Sequence, residues 1–282
     1  MKKLYLHFDK NRSNDFFNTG YYLLGAAIRL GLPVEKLTFD KDGHTIDGLI
    51  PERVLNIEPC QTLFRGSKKT GFYEIDYWEY PVNIDKWRNA SVVFSCDPCC
   101  ADDKRFTETE KEYILLPLAA DKDLIEIAKE TPKEYDLVFV GRTGGPYDGR
   151  SLMLEKIQKE VPNVFLTNQE HPTEEYMKVL AKGKIIFNHS LFFDCNRRFW
   201  EGMGLGVLLT NRLPQFKAYP KYYGVEDKQF LAYSDFDECL EKIKYILSHS
   251  QEQEKIAMAG YKHIMENGLY ENRLKKILEV ML

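Results

Sequence analysis

Apolar and polar residues alternate along the chain in blocks that predict strands followed by helices. The first block, KKLYLHF, is apolar and aromatic enough for a strand. The next block, NDFFNTGYYLLGAAIRLGL, repeats apolar residues at helical spacing, with Asn14 as its N-cap. The chain is therefore predicted to open with a β-α unit.

The rest of the first half gives a weaker pattern. Residues 36–90 hold two short strand candidates, KLTF and RVLNI, among glycine and aspartate, and are otherwise predicted to be irregular. Two clearer buried strands follow, ASVVFS and YILLPLAAD.

The alternation restarts after the polar stretch KDLIEIAKETPKE. The predicted strands are YDLVFVG, NVFLT, KIIFN and VLLT, and the predicted helices are RSLMLEKIQKEV, TEEYMKVLAKG, RRFWEGMGLG and the tail beyond residue 236. Strands that alternate with helices imply a parallel sheet covered on both faces. Two such sets predict an α/β protein with two Rossmann-like domains, residues 1–120 and residues 121–282.

Composition limits the class of protein. Of the 282 residues, 44% are hydrophobic and 29% charged, a balance typical of globular domains. The net charge of −4 argues against a long nucleic-acid footprint. The N-terminal apolar run is too short for a signal peptide, and no window approaches the roughly 18 to 20 apolar residues of a membrane span. A cytoplasmic protein without a membrane span is expected.

The cysteine cluster CDPCC is the one feature that suggests a metal. Cys96, Cys99 and Cys100 lack a second ligand pair at the usual spacing, so reduced thiols are the favoured interpretation. No metal site is predicted.

Candidate ligand-binding residues follow predicted strands, where open α/β sheets collect ligands. The glycine-rich turn after YDLVFVG offers Gly141, Arg142 and Thr143, and Arg142 or Arg150 could pair with a phosphate. Such a turn could equally well only terminate the strand. His171 follows NVFLT and could border a base or ribose, and Ser190 follows KIIFN.

The stretch DCNRRFWEGMGLG places two cations and a carboxylate at a helix start. If the helix begins near Asn196, its free N–H groups and Arg197 or Arg198 offer an anion site. Glu201, about one turn on, can accept two hydroxyl hydrogen bonds, so the set suits a nucleotide. The alternative is a surface i,i+3 ion pair between Arg198 and Glu201, worth about 0.2 to 0.5 kcal/mol.

Four motifs in order resemble the CgeB-like (spore maturation) glycosyltransferases of the GT-B superfamily. They are LPLAAD at 116–121, YDLVFVG followed by Arg150, NRRFWEGMGLG, and GLYENRLKKIL. The resemblance covers roughly residues 113–282. Asn196, Arg198, Trp200, Glu201 and Gly206 occupy the places of the family's central pattern.

The resemblance implies a GT-B fold, whose two Rossmann-like domains face a central cleft. It implies that the C-terminal domain holds a nucleotide-sugar donor, that Glu201 binds the ribose, and that Arg198 and the turn after Gly141 face the diphosphate. Arg142 matches the arginine of a related VGR motif whose lysine partner is missing here, and Arg150 would compensate. It further implies that the closing helix packs back on the N-terminal domain.

The implied activity is hexosyl transfer without a cofactor, with the nucleotide sugar as co-substrate. The resemblance implies no metal, because GT-B enzymes generally stabilise the leaving diphosphate with helix dipoles and basic side chains. The acceptor stays open among a glycan, a protein and a small molecule, with nucleic acid less favoured. Two alternatives remain: a non-catalytic nucleotide-sugar-binding protein and a DNA-modifying glycosyltransferase.

An inverting reaction needs a base from the N-terminal half, whereas a retaining reaction does not. His7, Asp9 and Asp97 each end or follow a predicted strand, and Asp97 is the chosen candidate. Asp97 could instead cap the turn that Pro98 forces.

Overall fold

The computed structural model describes residues 2–8, 19–38, 45, 51–57, 67–74, 89–98, 111–169, 171–191 and 195–282. Its contacts divide the chain into two units. The first unit comprises Met1–Leu118 and Tyr270–Leu282, and the second comprises Ala119–Leu269. Asp9, Cys99, Cys100 and the predicted N-cap Asn14 lie outside the described residues.

The first unit is built on a six-stranded sheet within the described residues, in the order β2-β1-β3-β4-β5-β6. All of its pairs are parallel. The elements are β1 (Leu4–His7), α1 (Thr19–Leu30), β2 (Val34–Lys36), β3 (Arg53–Ile57), β4 (Lys69–Glu74), β5 (Val92–Ser95) and β6 (Glu112–Leu115). The predicted strand YILLPLAAD therefore ends early, at Leu115.

Strand β4 corrects the prediction that residues 36–90 are irregular apart from KLTF and RVLNI. It pairs with β3 over Lys69–Tyr73 and with β5 over Gly71–Glu74, but its sequence, KTGFYE, shows no alternation of polar and apolar residues. Gly71 leaves room in its centre, because a Cβ there would lie 2.9 Å from Leu55 Cδ1. A glycine at a strand centre weakens the sequence signal of a strand.

The closing helix α10 (Tyr270–Met281) belongs to the first unit. The rings of Tyr270 and Tyr22 stack with their centroids 5.1 Å apart. Arg273 is 1% exposed and donates to the carbonyl oxygens of Pro117 and Leu118 at 2.8 and 3.1 Å. The predicted second domain, residues 121–282, included this helix. The structure groups it with the first unit, as the resemblance implies, because these contacts anchor it there.

The second unit contains a five-stranded sheet in the described residues, in the order β11-β10-β9-β7-β8, with every pair parallel. Its elements are α2 (Lys122–Ala128), β7 (Tyr135–Val140), α3 (Asp148–Glu160), β8 (Val164–Thr167), α4 (Thr173–Ala181), β9 (Gly183–Asn188), α5 (Arg198–Leu205), β10 (Val207–Asn211), α6 (Pro214–Ala218), α7 (Pro220–Tyr223), β11 (Leu231–Tyr233), α8 (Phe236–Ser248) and α9 (Ser250–Asn267). Buried aliphatic and aromatic side chains fill the space between sheet and helices.

Helix α2 lies in the stretch KDLIEIAKETPKE, which the sequence marked only as polar. The Asp121 side chain caps it by accepting from the N–H groups of Asp123 and Leu124. Ile125 and Ala128 provide its buried face. No helix in the described part of the chain is both long and apolar enough to cross a membrane.

Lys133 connects the C-terminal ends of helices α4 and α5. Its ammonium donates to Ala181 O at 2.8 Å and to Leu205 O at 2.6 Å, the last residues of α4 and α5. A cation is favourable at a helix C-terminus, where the last carbonyl oxygens lack partners within the helix. Burial lowers the pKa of Lys133 to about 8.

Candidate functional site

The strand order of the second unit reverses between β7 and β9. The chain passes from β7 to β8 on one side, and then continues through β9, β10 and β11 on the other. In open α/β sheets the crevice beyond the carboxyl ends of the strands at such a reversal is the usual ligand site. The residues at this point are Gly141, after β7, and Asn188, the last residue of β9.

Arg198 lies at this reversal. Its Nη1 donates to Asn188 Oδ1 at 3.1 Å, and its guanidinium lies 4.7 Å from the centre of the Phe139 ring. A Cβ on Gly141 would come within 2.2 Å of Arg198 Nη2. The absence of a side chain at Gly141 therefore allows the guanidinium to approach the end of β7. The structure places Arg198 beside this turn, and the predicted role of both toward a diphosphate stays a prediction.

The charge of Arg198 has no carboxylate partner within the described residues. Its Nε is buried and has no hydrogen-bond partner there either. A neutral amide and an aromatic ring do not neutralise a cation, so a partly buried guanidinium held by them still attracts an anion strongly. The site is therefore suited to a negatively charged ligand.

Arg150 bonds to the protein's own backbone. It is 5% exposed, and its Nε and Nη2 donate to His189 O at 3.0 and 2.7 Å. Its Nη1 donates to Arg142 O at 3.0 Å. Arg150 thus fastens the turn after β7 to the loop after β9, and its predicted role toward a phosphate stays a prediction.

The other predicted residues are spread along the same edge of the sheet. Arg142 and Thr143 are exposed in the turn after β7. Ser190 is buried, and its N–H donates to Asn211 Oδ1 at 2.7 Å. His171 and Asn196 each keep a buried polar atom, Nε2 and Oδ1 respectively, without a partner among the described residues. Such atoms are satisfied when a ligand or water supplies the missing hydrogen bond.

Glu201 is not on the surface. Its side chain is 2% exposed, and its Oε1 lies 2.6 Å from Arg197 Nε. The Tyr176 hydroxyl donates to its Oε2 at 2.9 Å. The ion pair is therefore buried, four residues apart, and made with Arg197, which overturns the alternative of a surface pair with Arg198. Arg197 has helical backbone angles at the N-cap of α5, and residues four apart on a helix are neighbours, so its guanidinium reaches the Glu201 carboxylate.

Tyr176 is a residue that the sequence did not single out. It is 7% exposed, and burial raises its pKa, with a further contribution from the Glu201 carboxylate. The phenol therefore stays protonated and donates. Glu201 retains acceptor capacity, because a carboxylate offers about four lone-pair positions and two are occupied. Its predicted binding of a ribose diol stays a prediction.

His189 directly follows Asn188, which together with Arg198 and Gly141 forms what we call the anion site. Its carbonyl oxygen accepts from Arg150. Its Nδ1 is 2.9 Å from the Tyr233 hydroxyl. Burial, together with the charge of Arg150, lowers the pKa of His189 to about 4. The imidazole is therefore neutral at physiological pH.

The low pKa of His189 predicts a pH-dependent loss of stability. Between pH 6.5 and about 4, the unfolded chain takes up a proton at His189 that the folded chain does not. Stability should fall as the pH drops through this window, by on the order of 1 to 2 kcal/mol after allowance for partial exposure. Urea unfolding of wild type and His189→Gln across this range measures the effect. Parallel pH profiles of the two proteins would contradict it.

Two candidates of the first unit lie at the carboxyl ends of its strands. Asp97 follows β5 and is 3% exposed; its N–H donates to Ser95 Oγ at 3.2 Å, and its carbonyl oxygen accepts from the Tyr113 hydroxyl at 2.7 Å. His7 ends β1, with its Nδ1 2.7 Å from Asn56 Oδ1. These contacts do not decide whether Asp97 or His7 acts as a base, so that role stays a prediction.

In the described ranges no group of three or more His, Cys, Asp or Glu is placed to hold a metal ion. The Cys96 side chain is buried.

Residues 121–279, more than half of the chain, match the glycosyl transferase-like family. The chain belongs to this family. No curated protein matches it. The match begins at Asp121, the cap of α2, and includes Gly141, Asn188 and Arg198. The candidate site of this glycosyl transferase-like protein therefore lies within the residues that match the family.

Solved structures identify the fold of this glycosyl transferase-like protein. An α-glucosyltransferase in complex with UDP and DNA superposes with a TM-score of 0.67 at 9% identity, covering 99% of both chains. A DNA-modifying β-glucosyltransferase gives 0.66 at 12%, covering 99% of this chain and 98% of its own. HepE of Anabaena in complex with UDP gives 0.59 at 12%, covering 99% of both. The two parallel-sheet α/β units thus form a GT-B, Rossmann-like fold.

Proposed function

We propose that the protein is a glycosyltransferase that moves a hexosyl group from a nucleoside-diphosphate sugar to an acceptor, without a metal. The observation that carries the proposal is the Arg198 guanidinium at the strand-order reversal, beside Gly141 and Asn188, which has no carboxylate partner among the residues that the structure describes. A diphosphate supplies the anion that this cation lacks, and the N-terminus of α5 adds partial positive charge.

Three further observations support this function. The family is glycosyl transferase-like, and the structural neighbours include proteins solved with UDP. Glu201 lies one turn along the same helix as Arg198, in the position that the CgeB-like pattern gives to the ribose-binding residue. We accordingly propose that the protein is CgeB-like, with UDP as the first nucleotide to test.

A ligand screen tests the proposal directly. Thermal unfolding is followed with UDP, GDP, ADP, CDP and TDP and with their glucose conjugates, because a ligand that binds the native state raises the unfolding midpoint. Hydrolysis of the selected nucleotide sugar, with and without EDTA, then separates an enzyme from a non-catalytic binding protein and tests the metal-free mechanism. If none of these compounds raises the midpoint, the proposal is wrong.

Arg198→Gln should weaken binding of the selected nucleoside diphosphate by roughly tenfold to a hundredfold, and binding of the bare nucleoside far less. The loss corresponds to about 1.5 to 3 kcal/mol for charge-assisted hydrogen bonds. Titration calorimetry measures the dissociation constants of the nucleoside diphosphate and of the nucleoside. The control is Lys184→Gln, which removes one positive charge near the amino end of β9, at the opposite edge of the sheet. Equal losses in the two variants would contradict a specific role for Arg198.

DNA is a second candidate acceptor, because two structural neighbours are glucosyltransferases that were solved with DNA or modify it. The net charge of −4 argues against an extended DNA footprint, although a local contact needs only a few cations. Binding to duplex DNA that weakens steeply with salt, together with sugar transfer to the duplex, would favour this acceptor. Without both, a glycan, a protein or a small molecule is favoured.

A further inference from the structure

Asn188 holds the anion-binding guanidinium, and its own orientation is fixed. It is fully buried at the end of β9. Its Nδ2 donates to Ser190 Oγ at 3.1 Å and to Thr210 Oγ1 at 3.2 Å. Its Oδ1 accepts from Arg198. Because a guanidinium only donates hydrogen bonds, the amide oxygen must face Arg198 and the amide nitrogen the two hydroxyls.

The chemical type of this anchor decides the charge of the site. An aspartate at position 188 would accept the same hydrogen bond from Arg198, with nearly the same shape. It would also neutralise the guanidinium and repel a phosphate at close range in a partly buried place, where charges interact strongly. An asparagine fixes the position of the guanidinium without neutralising it, so the positive charge stays available to an anionic ligand.

We infer that Asn188 is a positioning residue, whose neutral amide keeps Arg198 in place without neutralising its charge and so sets the preference of the site for a diphosphate over a less charged ligand. The inference rests on the proposed function and deepens it. Asn188 acts only through Arg198, with Ser190 and Thr210 fixing the amide.

The test is Asn188→Asp, which the surrounding network can accommodate. The hydroxyls of Ser190 and Thr210 can reverse and donate to the second carboxylate oxygen, because a hydroxyl both donates and accepts. The probes are the nucleoside diphosphate that the wild type binds most tightly among UDP, GDP, ADP and CDP, and its parent nucleoside. We expect diphosphate binding to weaken by tenfold or more and nucleoside binding to change less than threefold. The preference for the diphosphate should therefore collapse.

The matched control is Asn163→Asp. It makes the same charge change just before β8, at the amino edge of the same sheet, where the Asn163 amide donates to Glu134 O. This variant should retain the wild-type preference. If Asn163→Asp reduces the preference as much as Asn188→Asp, net charge explains the result and the inference is overturned.

A double-mutant cycle with Arg198→Gln separates positioning from a general loss of structure. If Asn188 acts through Arg198, adding Asn188→Asp to Arg198→Gln should change diphosphate binding less than threefold. A loss of tenfold or more in that background would overturn the inference. Should Asn188→Asp not fold, Asn188→Ser, which keeps a neutral acceptor of shorter reach, should lower diphosphate affinity more than nucleoside affinity; equal losses overturn the inference.

The proposed function and the inference fail in different ways. No binding of any nucleoside diphosphate to the wild type would remove both. Tight diphosphate binding with an unchanged preference in a folded Asn188→Asp protein would remove only the inference.

Discussion

Glu201→Ala is expected to lower the free energy of unfolding by about 3 to 5 kcal/mol, because it removes one partner of a buried ion pair. Arg197 would keep a charge that is 15% exposed and has lost its carboxylate, and the buried Tyr176 hydroxyl would lose its acceptor. Urea unfolding measures the loss. Trp200 is the one tryptophan of residues 119–269 in the sequence and adjoins Glu201, so its fluorescence reports on the second unit.

Glu252→Ala is the control for this variant. Glu252 pairs with Lys255 at 3.2 Å and is 32% exposed, so its removal should cost less than about 1 kcal/mol. Glu201→Gln, which keeps an acceptor for Tyr176, should lie between the two. A loss below 1 kcal/mol for Glu201→Ala would mean that the Arg197 pair contributes no more than a surface contact.

Asp97→Asn is expected to lower turnover of the nucleotide sugar by about 10² to 10⁴, if Asp97 is the base of an inverting reaction. Asparagine keeps the size and the turn-forming ability of aspartate but cannot accept the proton. The backbone of Asp97 is already held by Ser95 and Tyr113, which favours a well-folded variant. Hydrolysis of the donor with water as acceptor measures turnover, and calorimetry checks that donor binding is intact.

Asp136→Asn is a matched control for charge. Asp136 pairs with Lys184 near the amino end of β7, away from the carboxyl ends of the strands. Its turnover should stay near that of the wild type. A loss below fivefold in Asp97→Asn would end the proposal that Asp97 is the base and would favour its role in the turn.

The strands of the second unit were predictable because buried parallel strands appear as uninterrupted apolar runs. YDLVFVG became β7 (Tyr135–Val140) and KIIFN became β9 (Gly183–Asn188). The position of Gly141 and Arg198 at one edge of the sheet follows from this alternation. The sequence showed that the apolar strand KIIFN ends in a polar residue, Asn188. Only the structure showed that this residue accepts a hydrogen bond from Arg198.

Partner choice at the start of α5 was not predictable. Arg197 and Arg198 are adjacent in sequence, but successive helical residues point about 100° apart. The two guanidinium groups therefore point in different directions, and the sequence does not say which of them pairs with Glu201 and which lies at the strand-order reversal. Arg150 was equally ambiguous, because a guanidinium suits a carbonyl oxygen as well as a phosphate.

The grouping of α10 with the first unit has a consequence for the order of folding during synthesis. The ribosome delivers all of residues 119–269 before residues 270–282, so the second unit is complete while the first still lacks its closing helix. Until then Tyr22 has no Tyr270 to stack on, and the carbonyl oxygens of Pro117 and Leu118 have no Arg273 to bond. The N-terminal part, although made first, is thus expected to finish folding last.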